Sequence, residues 1–565
     1  MKILVCTVPI RPEATEYPPL GAMAVVSALR GAGYAPVFFD IDAERPSLEA
    51  AIDRIVHEAP DVVAISAVVS TAYRYVKDLA LGLRQRLPEA VLIVGGNLAA
   101  SAELLHRCCG VDFCVIGEGE RVIVNLMNRC SQCGDFRALR GIRGITFLND
   151  GEMVFTGYEA AIPAAELKDP DYSILEEYSR IEHFVTSPMG REDFRQDPRS
   201  LEPHRKGKTM ATVISAKGCV ARCTFCHRWD KGYRQFAPER IVAHIRTLME
   251  RYNVGFIHFG DENFGSDREA TGELIRLLKP LDILWVVGGV RARSVDRDLL
   301  IMMREAGCVA VYYGFETGSA GMLQVMEKNL ELRHNLDAAR WTREAGLYTC
   351  YQLILGMPGE TPETVAETIL MLKAITQELP RPPYHYMSVN YIQALPGTPV
   401  YELARARGLI GPRLEDEAAY LEKISDIDAA DDTKFLNFTD YPYMVVRSWR
   451  IRLLYEVTAH WHRKHRVHAD TEIRKDGYFN IHELRTHPMI LRIFYPVRGL
   501  LIAAETLRPE FRNSSWRVLV SRLWEVAAWL VAGPSAEPDY GPLRRILKEN
   551  PAPSSEAMRP LRLGR

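Results

Sequence analysis

Three of the chain's eleven cysteines, Cys219, Cys223 and Cys226, fall within eight residues in the run Ser215-Ala216-Lys217-Gly218-Cys219-Val220-Ala221-Arg222-Cys223-Thr224-Phe225-Cys226. Thiolates clustered this closely suit a compact thiophilic metal centre. A structural zinc site normally takes four ligands, with the adjacent His227 as the only candidate for the fourth. A four-iron cubane held by three cysteines keeps one iron open, where a bidentate amino-acid ligand can bind. The second reading fits the run better, because it follows the first strand of a strand–helix series, where a catalytic loop belongs. Other clusters carry less. Cys108-Cys109 and the pair Cys130 and Cys133 have no second pair at zinc-finger spacing and read as incidental thiols. His460, His462, His465 and His468 are interleaved with Arg463, Lys464 and Arg466, which repel a cation, so they read as the solvated end of a basic helix.

The elements that must position the cysteines are legible as two α/β series. Residues 2–7, 36–40, 61–66, 91–94 and 113–116 read as short buried strands, separated by helices such as 21–32 and 48–58. This pattern predicts a doubly wound parallel sheet with helices on both faces. From residue 210 the alternation resumes, with strands over 210–216, 256–259, 283–287, 310–315, 349–354 and 387–392 and a helix opening near Pro238. Six such units predict a partial (β/α)6 barrel with its chemistry on the carboxyl-end loops. The expected domains are 1–140, a linker with a small β piece over 141–208, the barrel over 209–412, and a mainly helical C-terminal domain over 413–565.

The cysteine run resembles that of the radical S-adenosylmethionine (SAM) enzymes, C-x3-C-x-Φ-C with aromatic Phe225 before the third cysteine. The resemblance continues around the barrel. Gly260-Asp261-Glu262-Asn263-Phe264 follows the second strand, and Arg291 the third. Tyr313-Gly314-Phe315-Glu316-Thr317-Gly318-Ser319 lies at the fourth strand, with Lys328 beyond it. Gln352-Leu353-Ile354-Leu355-Gly356-Met357-Pro358-Gly359-Glu360 matches the fifth-strand motif, and Leu395-Pro396-Gly397-Thr398-Pro399 the turn after the sixth. The resemblance implies a 4Fe-4S cluster on the three cysteines and SAM bound by Phe225, Asp261, Glu262, Asn263, Arg291, Glu316, Ser319, Lys328 and Gln352. Several relatives have Asp where this chain has Gln352. It also implies reductive cleavage of SAM to a 5′-deoxyadenosyl radical, with an electron from a flavodoxin- or ferredoxin-type donor.

The N-terminal series is similar to the cobalamin-binding domain that precedes the barrel in one subgroup of that family. The matching residues are Pro18-Pro19-Leu20-Gly21, then Ser66-Ala67-Val68-Val69-Ser70, Gly95-Gly96-Asn97 and Gly117-Glu118-Gly119-Glu120. The implied cobalamin contacts are Ser66, Ser70, Thr71, Gly95, Gly96, Asn97, Gly117 and Glu118. Many cobalamin proteins carry Asp-x-His-x-x-Gly after the first strand, with the histidine on cobalt. In this chain loop 9–17 has no histidine, and the first in the sequence is His57. Cobalamin is therefore expected without a histidine lower ligand. The implied activity is methyl transfer to an unactivated carbon. The alternatives are a radical cyclase or rearrangement catalyst on the same scaffold, and, from another class, a corrinoid-binding sensor or carrier.

Composition sets the remaining expectations. The 565 residues, 47% hydrophobic and 25% charged, are those of a multidomain globular protein. No leader pattern opens the sequence and no apolar run approaches membrane-spanning length, so a cytoplasmic location is expected. The net charge of −2 hides an asymmetry: residues 441–565 hold 21 Lys plus Arg against 12 Asp plus Glu, a net of +9, with five of the eight tryptophans. That region could help shape the pocket for a small-molecule or lipid-like substrate, or touch an anionic membrane surface peripherally. No nucleic-acid partner is expected.

Overall fold

The structure is a computed structural model that describes residues 1–130, 136–227, 232–425, 431, 433–465 and the single positions 520 and 524. It is an α/β protein whose residues divide into two compact units. One comprises Met1–Gly288 with the described part of 394–428, and the other residues 289–393 with the described part of 429–541.

In the first unit, β1 (Ile3–Thr7), β2 (Val37–Phe39), β3 (Val62–Ser66), β4 (Val91–Gly95) and β5 (Phe113–Val115) form a parallel sheet in the order β2-β1-β3-β4-β5. Every residue of β1 is buried, as expected of a strand covered on both faces. The register runs from Ile3 opposite Val62 to Thr7 opposite Ser66. Helices Leu20–Gly31 and Leu48–Glu58 lie in the crossovers. The second is capped by Ser47, whose hydroxyl accepts from Ala50 N at 3.2 Å.

The small β piece expected within the linker belongs instead to this first sheet. β6 (Ile145–Asn149) and β7 (Glu152–Phe155) add to it antiparallel, Cys114 opposite Thr146, which gives β5 a partner on its open side.

The second sheet has six strands in sequence order: β8 (Thr209–Val213), β11 (Val254–Phe259), β12 (Leu284–Val290), β13 (Cys308–Glu316), β14 (Tyr348–Leu355) and β15 (Met387–Tyr391). The pairs β8–β11 and β11–β12 in one unit, and β13–β14 and β14–β15 in the other, are parallel, as in an open β/α barrel. Helix starts are marked by side-chain caps: Asp267 on Ala270 N, Asp296 on Leu299 N, Thr361 on Thr364 N and Thr398 on Tyr401 N. Between β8 and β11 sits a feature too short for periodicity to reveal. β9 (Ala216–Lys217) and β10 (Arg234–Gln235) pair antiparallel at the two ends of the cysteine segment.

The chain passes between the units inside β12 and again after residues 393 and 428. Helix Leu414–Ile424 belongs to the first unit, where Glu422 receives Arg74 and Lys77 from the sheet's own helix. Helix Tyr443–His465 belongs to the second. The sequence reads the end of this helix as solvated and basic, while further up the helix Arg447 and Trp449 are fully buried. Trp461 Nε1 donates to Leu379 O at 2.9 Å, and His465 Nε2 donates to Gln377 O at 2.8 Å with its ring stacked on Trp461. These side chains are packing and capping groups. His468 and Cys133 lie outside the described residues. Among the described residues, no helix is long and apolar enough to cross a membrane.

Candidate active site

The cysteine segment begins at a backbone position that only glycine suits. Gly218 has φ +81°, and a Cβ there would lie 2.3 Å from the carbonyl oxygen of Gly232, which returns from the far end of the loop. Beyond it Cys219 is half-buried, Cys223 buried and Cys226 exposed, and none is in a disulfide. Cys226 N donates to Cys223 O at 3.3 Å, while Ala221 N approaches Cys219 Sγ at 3.3 Å. Thr224 is fully buried, and its carbonyl accepts from Val400 N at 3.1 Å. The turn around Leu395–Pro399 that the sequence singled out thus leads into a helix that braces the loop.

Among the described residues, no three His, Cys, Asp or Glu side chains converge as the ligands of a single ion. A cubane does not require that convergence, because each of its thiolates holds a different iron. The donor set therefore fits a three-cysteine cluster with one open iron. Such a cluster supplies electron transfer into a ligand bound at that iron.

The stem of the loop is fixed by Asp261 at the end of β11. Its Oδ1 accepts from Ser215 N at 2.8 Å, Ala216 N at 2.6 Å and Ser215 Oγ at 3.1 Å, while Oδ2 is buried without a partner. Burial pushes this carboxyl up to about 7, against the opposing effect of the hydrogen bonds it accepts. Sequence reasoning grouped Asp261 with the SAM contacts, and the structure turns it toward the loop stem. Its neighbour Glu262 is exposed and lines a cavity described below. Asn263 is buried, with Nδ2 on Ser266 Oγ at 2.6 Å and Oδ1 unpartnered. Phe225 is half-buried in the loop itself.

The remaining expected SAM contacts lie in the second unit. Arg291 is buried and donates through Nη2 to Lys328 O. Lys328 Nζ in turn pairs with Glu316, both side chains under a tenth exposed. Glu316 ends β13 in the left-handed region at φ +61°, an uncommon conformation for a residue with a Cβ and one often retained at functional positions. Ser319 is buried, with its amide on Thr317 Oγ1 at 3.1 Å, whereas Gln352 is exposed on β14. Sequence reasoning placed Glu360 in the fifth-strand motif but assigned it no contact. It is fully buried, accepts from Gly356 N at 2.5 Å and is pushed by burial up to about 8.

In the first unit a cavity of about 730 Å³ opens at the carboxyl ends of β3, β4 and β5. Such crevices are where open parallel sheets take ligands. One wall is the face of helix Leu20–Gly31 that carries Gly21, Ala24, Val25 and Ala28. Ser66, Gly95, Gly96, Asn97, Gly117 and Glu118 line it as well, and so do Ala216, Lys217 and Gly218 from the stem of the cysteine loop. Ser70 and Thr71 are buried outside this lining, and the Thr71 hydroxyl donates to Ile10 O at 2.7 Å.

The two glycines at the end of β4 differ in what they permit. At Gly96, φ +89°, a Cβ would strike Ala67 O at 2.3 Å, so the turn itself demands glycine. At Gly95 the nearest atom to an added Cβ is Val115 Cβ at 3.9 Å, so a side chain there would grow into the cavity. A large, flat ligand lying against bare backbone fits this cradle.

Loop 9–17 is held in one conformation by its carbonyls. Arg45 donates to Arg11 O at 3.0 Å, Pro12 O at 3.1 Å and Glu13 O at 2.5 Å. His183 donates to Thr15 O at 3.0 Å, and Thr15 N donates to Asp42 Oδ2 at 3.0 Å. None of the described residues lining the cavity is a histidine.

Comparison with known proteins gives these two sites a common context. The radical SAM superfamily model matches residues 213–372, and the B12 binding domain model matches residues 9–127. The chain carries a B12-binding domain followed by a radical SAM domain. A 4Fe-4S cluster, SAM and cobalamin are the cofactors these two domains imply.

The chain is 29% identical over 369 residues to an anaerobic magnesium-protoporphyrin IX monomethyl ester cyclase of Cereibacter sphaeroides, covering 63% of this chain and 56% of the cyclase. It is 25% identical to cytidylyl-2-hydroxyethylphosphonate methyltransferase of Streptomyces wedmorensis, covering 54% of this chain and 60% of that one. The match thus spans little more than half the length of these relatives. Among solved structures, the cobalamin-dependent radical SAM enzyme OxsB superposes with TM-score 0.61 at 16% identity, covering 97% of this chain and 83% of OxsB. The radical SAM methyltransferase TsrM from Kitasatospora setae superposes with TM-score 0.56 at 17% identity, covering 72% of this chain and 75% of TsrM. At these identities the likeness is one of fold.

The stem of the cysteine loop gives a direct test. In Asp261→Asn the amide oxygen keeps the three accepted bonds, whereas Asp261→Ala orphans three buried donors at ~1–3 kcal/mol each. The native carboxyl titrates near 7 rather than at the ordinary ~3.9, so the folded state holds an extra proton between those values and loses stability as pH rises through that window. Denaturant unfolding of the cluster-free chain should show Asp261→Ala destabilised at every pH. Asp261→Asn should gain on the native chain as pH rises from about 4 to about 7. Equal pH slopes for the native and Asn chains would contradict this.

Proposed function

We propose that this enzyme methylates an unactivated carbon of a small-molecule or lipid-like substrate, using SAM both as radical source and as methyl donor to cobalamin. The observation that carries the reading is the cavity at the ends of β3, β4 and β5, because its wall includes the stem of the cysteine loop. A methyl carrier bound there and a radical source at the cluster would be neighbours within one compact unit. When bound, these cofactors supply hydrogen abstraction and methyl transfer, while the chain supplies placement and exclusion of water.

Particular residues would do this work. The thiolates of Cys219, Cys223 and Cys226 would hold the cluster, with Asp261 fixing the stem. Gly95, Gly96, Asn97 and Gly117 would let the corrin and its nucleotide tail lie against backbone, with Ser66 as a hydrogen-bonding group. Loop 9–17, pinned by Arg45 and carrying no histidine, would leave cobalt without an imidazole beneath it. Cys226 and the 56%-exposed Val220 would keep the loop within reach of a flavodoxin- or ferredoxin-type donor.

A cyclase is the second reading, favoured by the 29% identity to the magnesium-protoporphyrin ester cyclase. Product mass separates the two. With methyl-labelled SAM, a reductant and a small-molecule extract, methylation yields a product heavier by one labelled methyl in place of hydrogen. Cyclisation yields an unlabelled product that has lost hydrogens, and that outcome would overturn the proposal.

The cofactor half of the reading has its own test. Added hydroxocobalamin should bind, and the electron paramagnetic resonance spectrum of its Co(II) form should lack nitrogen superhyperfine splitting. Gly95→Phe should abolish cobalamin uptake while leaving about four irons per chain. A nitrogen triplet would contradict the open lower face, and undiminished uptake by Gly95→Phe would contradict the cradle.

A further inference from the structure

Glu118 lines the cavity, yet its carboxylate is already engaged. Arg234 grips it with two parallel bonds, Nη2 to Oε1 at 2.5 Å and Nη1 to Oε2 at 3.0 Å. Ile162 N donates to Oε2 at 2.8 Å, and Arg234 Nη1 also donates to Ile162 O at 2.7 Å. Lys217 Nζ stands 3.3 Å from Glu118 Oε1 and 2.7 Å from Glu120 Oε1. The side chains of Glu118 and Arg234 are only 9% and 12% exposed. Burial alone would raise the Glu118 pKa, but the Arg234 bonds, the Lys217 charge and the Ile162 amide outweigh it and hold the carboxylate ionised.

The placement of the two cations gives this network its meaning. Lys217 and Arg234 are register partners across β9 and β10, the two-residue strands at either end of the cysteine segment. Both ends of that segment are therefore fastened to residues 117–120, the turn after β5 and the first residues of helix Gly119–Cys130. Residues 117–120 also line the cavity. A bidentate guanidinium–carboxylate pair fixes distance and plane together, which a single bond or a lysine does not.

We infer that Glu118 and Arg234 are positioning residues whose ion pair sets the separation and orientation of the cluster loop relative to the cobalamin cavity. This rests on the reading that the cavity holds cobalamin. Neither residue needs to touch a cofactor. Their pair converts the position of the β5 loop, on which one cofactor would lie, into the position of the hairpin that would carry the other. An error of about 1 Å between reacting groups can cost roughly a hundredfold in rate, so a rigid joint is worth its buried charges.

The test uses the full chain reconstituted with iron and sulfide and loaded with hydroxocobalamin, then reduced to Co(II). With the cluster also reduced, the native Co(II) resonance should show a magnetic interaction that vanishes when the cluster is reoxidised. Arg234→Ala should keep its iron and cobalamin but show a changed or heterogeneous interaction, and Arg234→Lys an intermediate one.

Should Arg234→Ala fail to fold, Glu118→Gln keeps an acceptor for Ile162 N and removes only the charge. In that variant without cofactors, amide exchange should quicken together in β9, β10 and around Ile162, by roughly tenfold or more for a joint opened by 1.4 kcal/mol or more. Exchange that changes at residue 118 alone overturns the joint. A native chain that takes up no cobalamin overturns the cavity reading, and the positioning role with it. A native chain that binds cobalamin but gives the same interaction after Arg234→Ala overturns the joint while leaving the cavity reading intact.

Discussion

Three hydrogen bonds to one carboxylate oxygen, Asp261 Oδ1, hold the stem from which the cysteine loop departs. A loop of this kind must present three thiols at fixed positions while leaving one metal vertex open, and it has no secondary structure of its own to do so. Its order comes from the ends. Asp261 fixes the backbone at Ser215 and Ala216. Gly218 turns sharply beneath the returning carbonyl of Gly232. Val400 N secures Thr224 O midway. Residues far apart in sequence, just after β11, just before β10 and in the helix after β15, converge on a dozen residues that could not fold alone.

The second constraint is the shared wall. The first sheet and the cysteine loop are joined through the cavity lining and the buried Arg234–Glu118 pair, so the B12-type sheet and the start of the barrel form one compact unit. Buried ion pairs contribute little net stability, because desolvation offsets most of their attraction, and they are better understood as devices of specificity. In the second unit the buried Lys328–Glu316 pair, with Arg291 on the Lys328 carbonyl, is a comparable arrangement at the end of β13.

Much of this was legible in the amino-acid sequence, and the exceptions have physical causes. The first sheet and the early strands of the second could be read because these parallel strands are buried on two faces and appear as short continuous apolar runs, such as residues 3–7 and 283–287. The cysteine spacing and the Gly95-Gly96 turn were visible because both depend on residue type at fixed local positions. The β9–β10 hairpin was not visible, since two-residue strands carry no period. The role of Arg234 was equally hidden, because its partner is Glu118, 116 positions away. Asp261 was noticed for its place in a motif, but its direction, toward the loop stem, is set by tertiary packing. The burial of Arg447 and Trp449 was hidden too, because a helix packed on more than one side loses the polar face that periodicity relies on.

All of these devices serve one arrangement, three thiols on a braced loop that would hold a cluster with an open iron. Cleavage of SAM to 5′-deoxyadenosine by the anaerobically reconstituted, chemically reduced chain tests that most directly. The native chain should form 5′-deoxyadenosine, and Cys219→Ala, Cys223→Ala and Cys226→Ala should each form none. Undiminished 5′-deoxyadenosine from any one of the three variants would contradict the account.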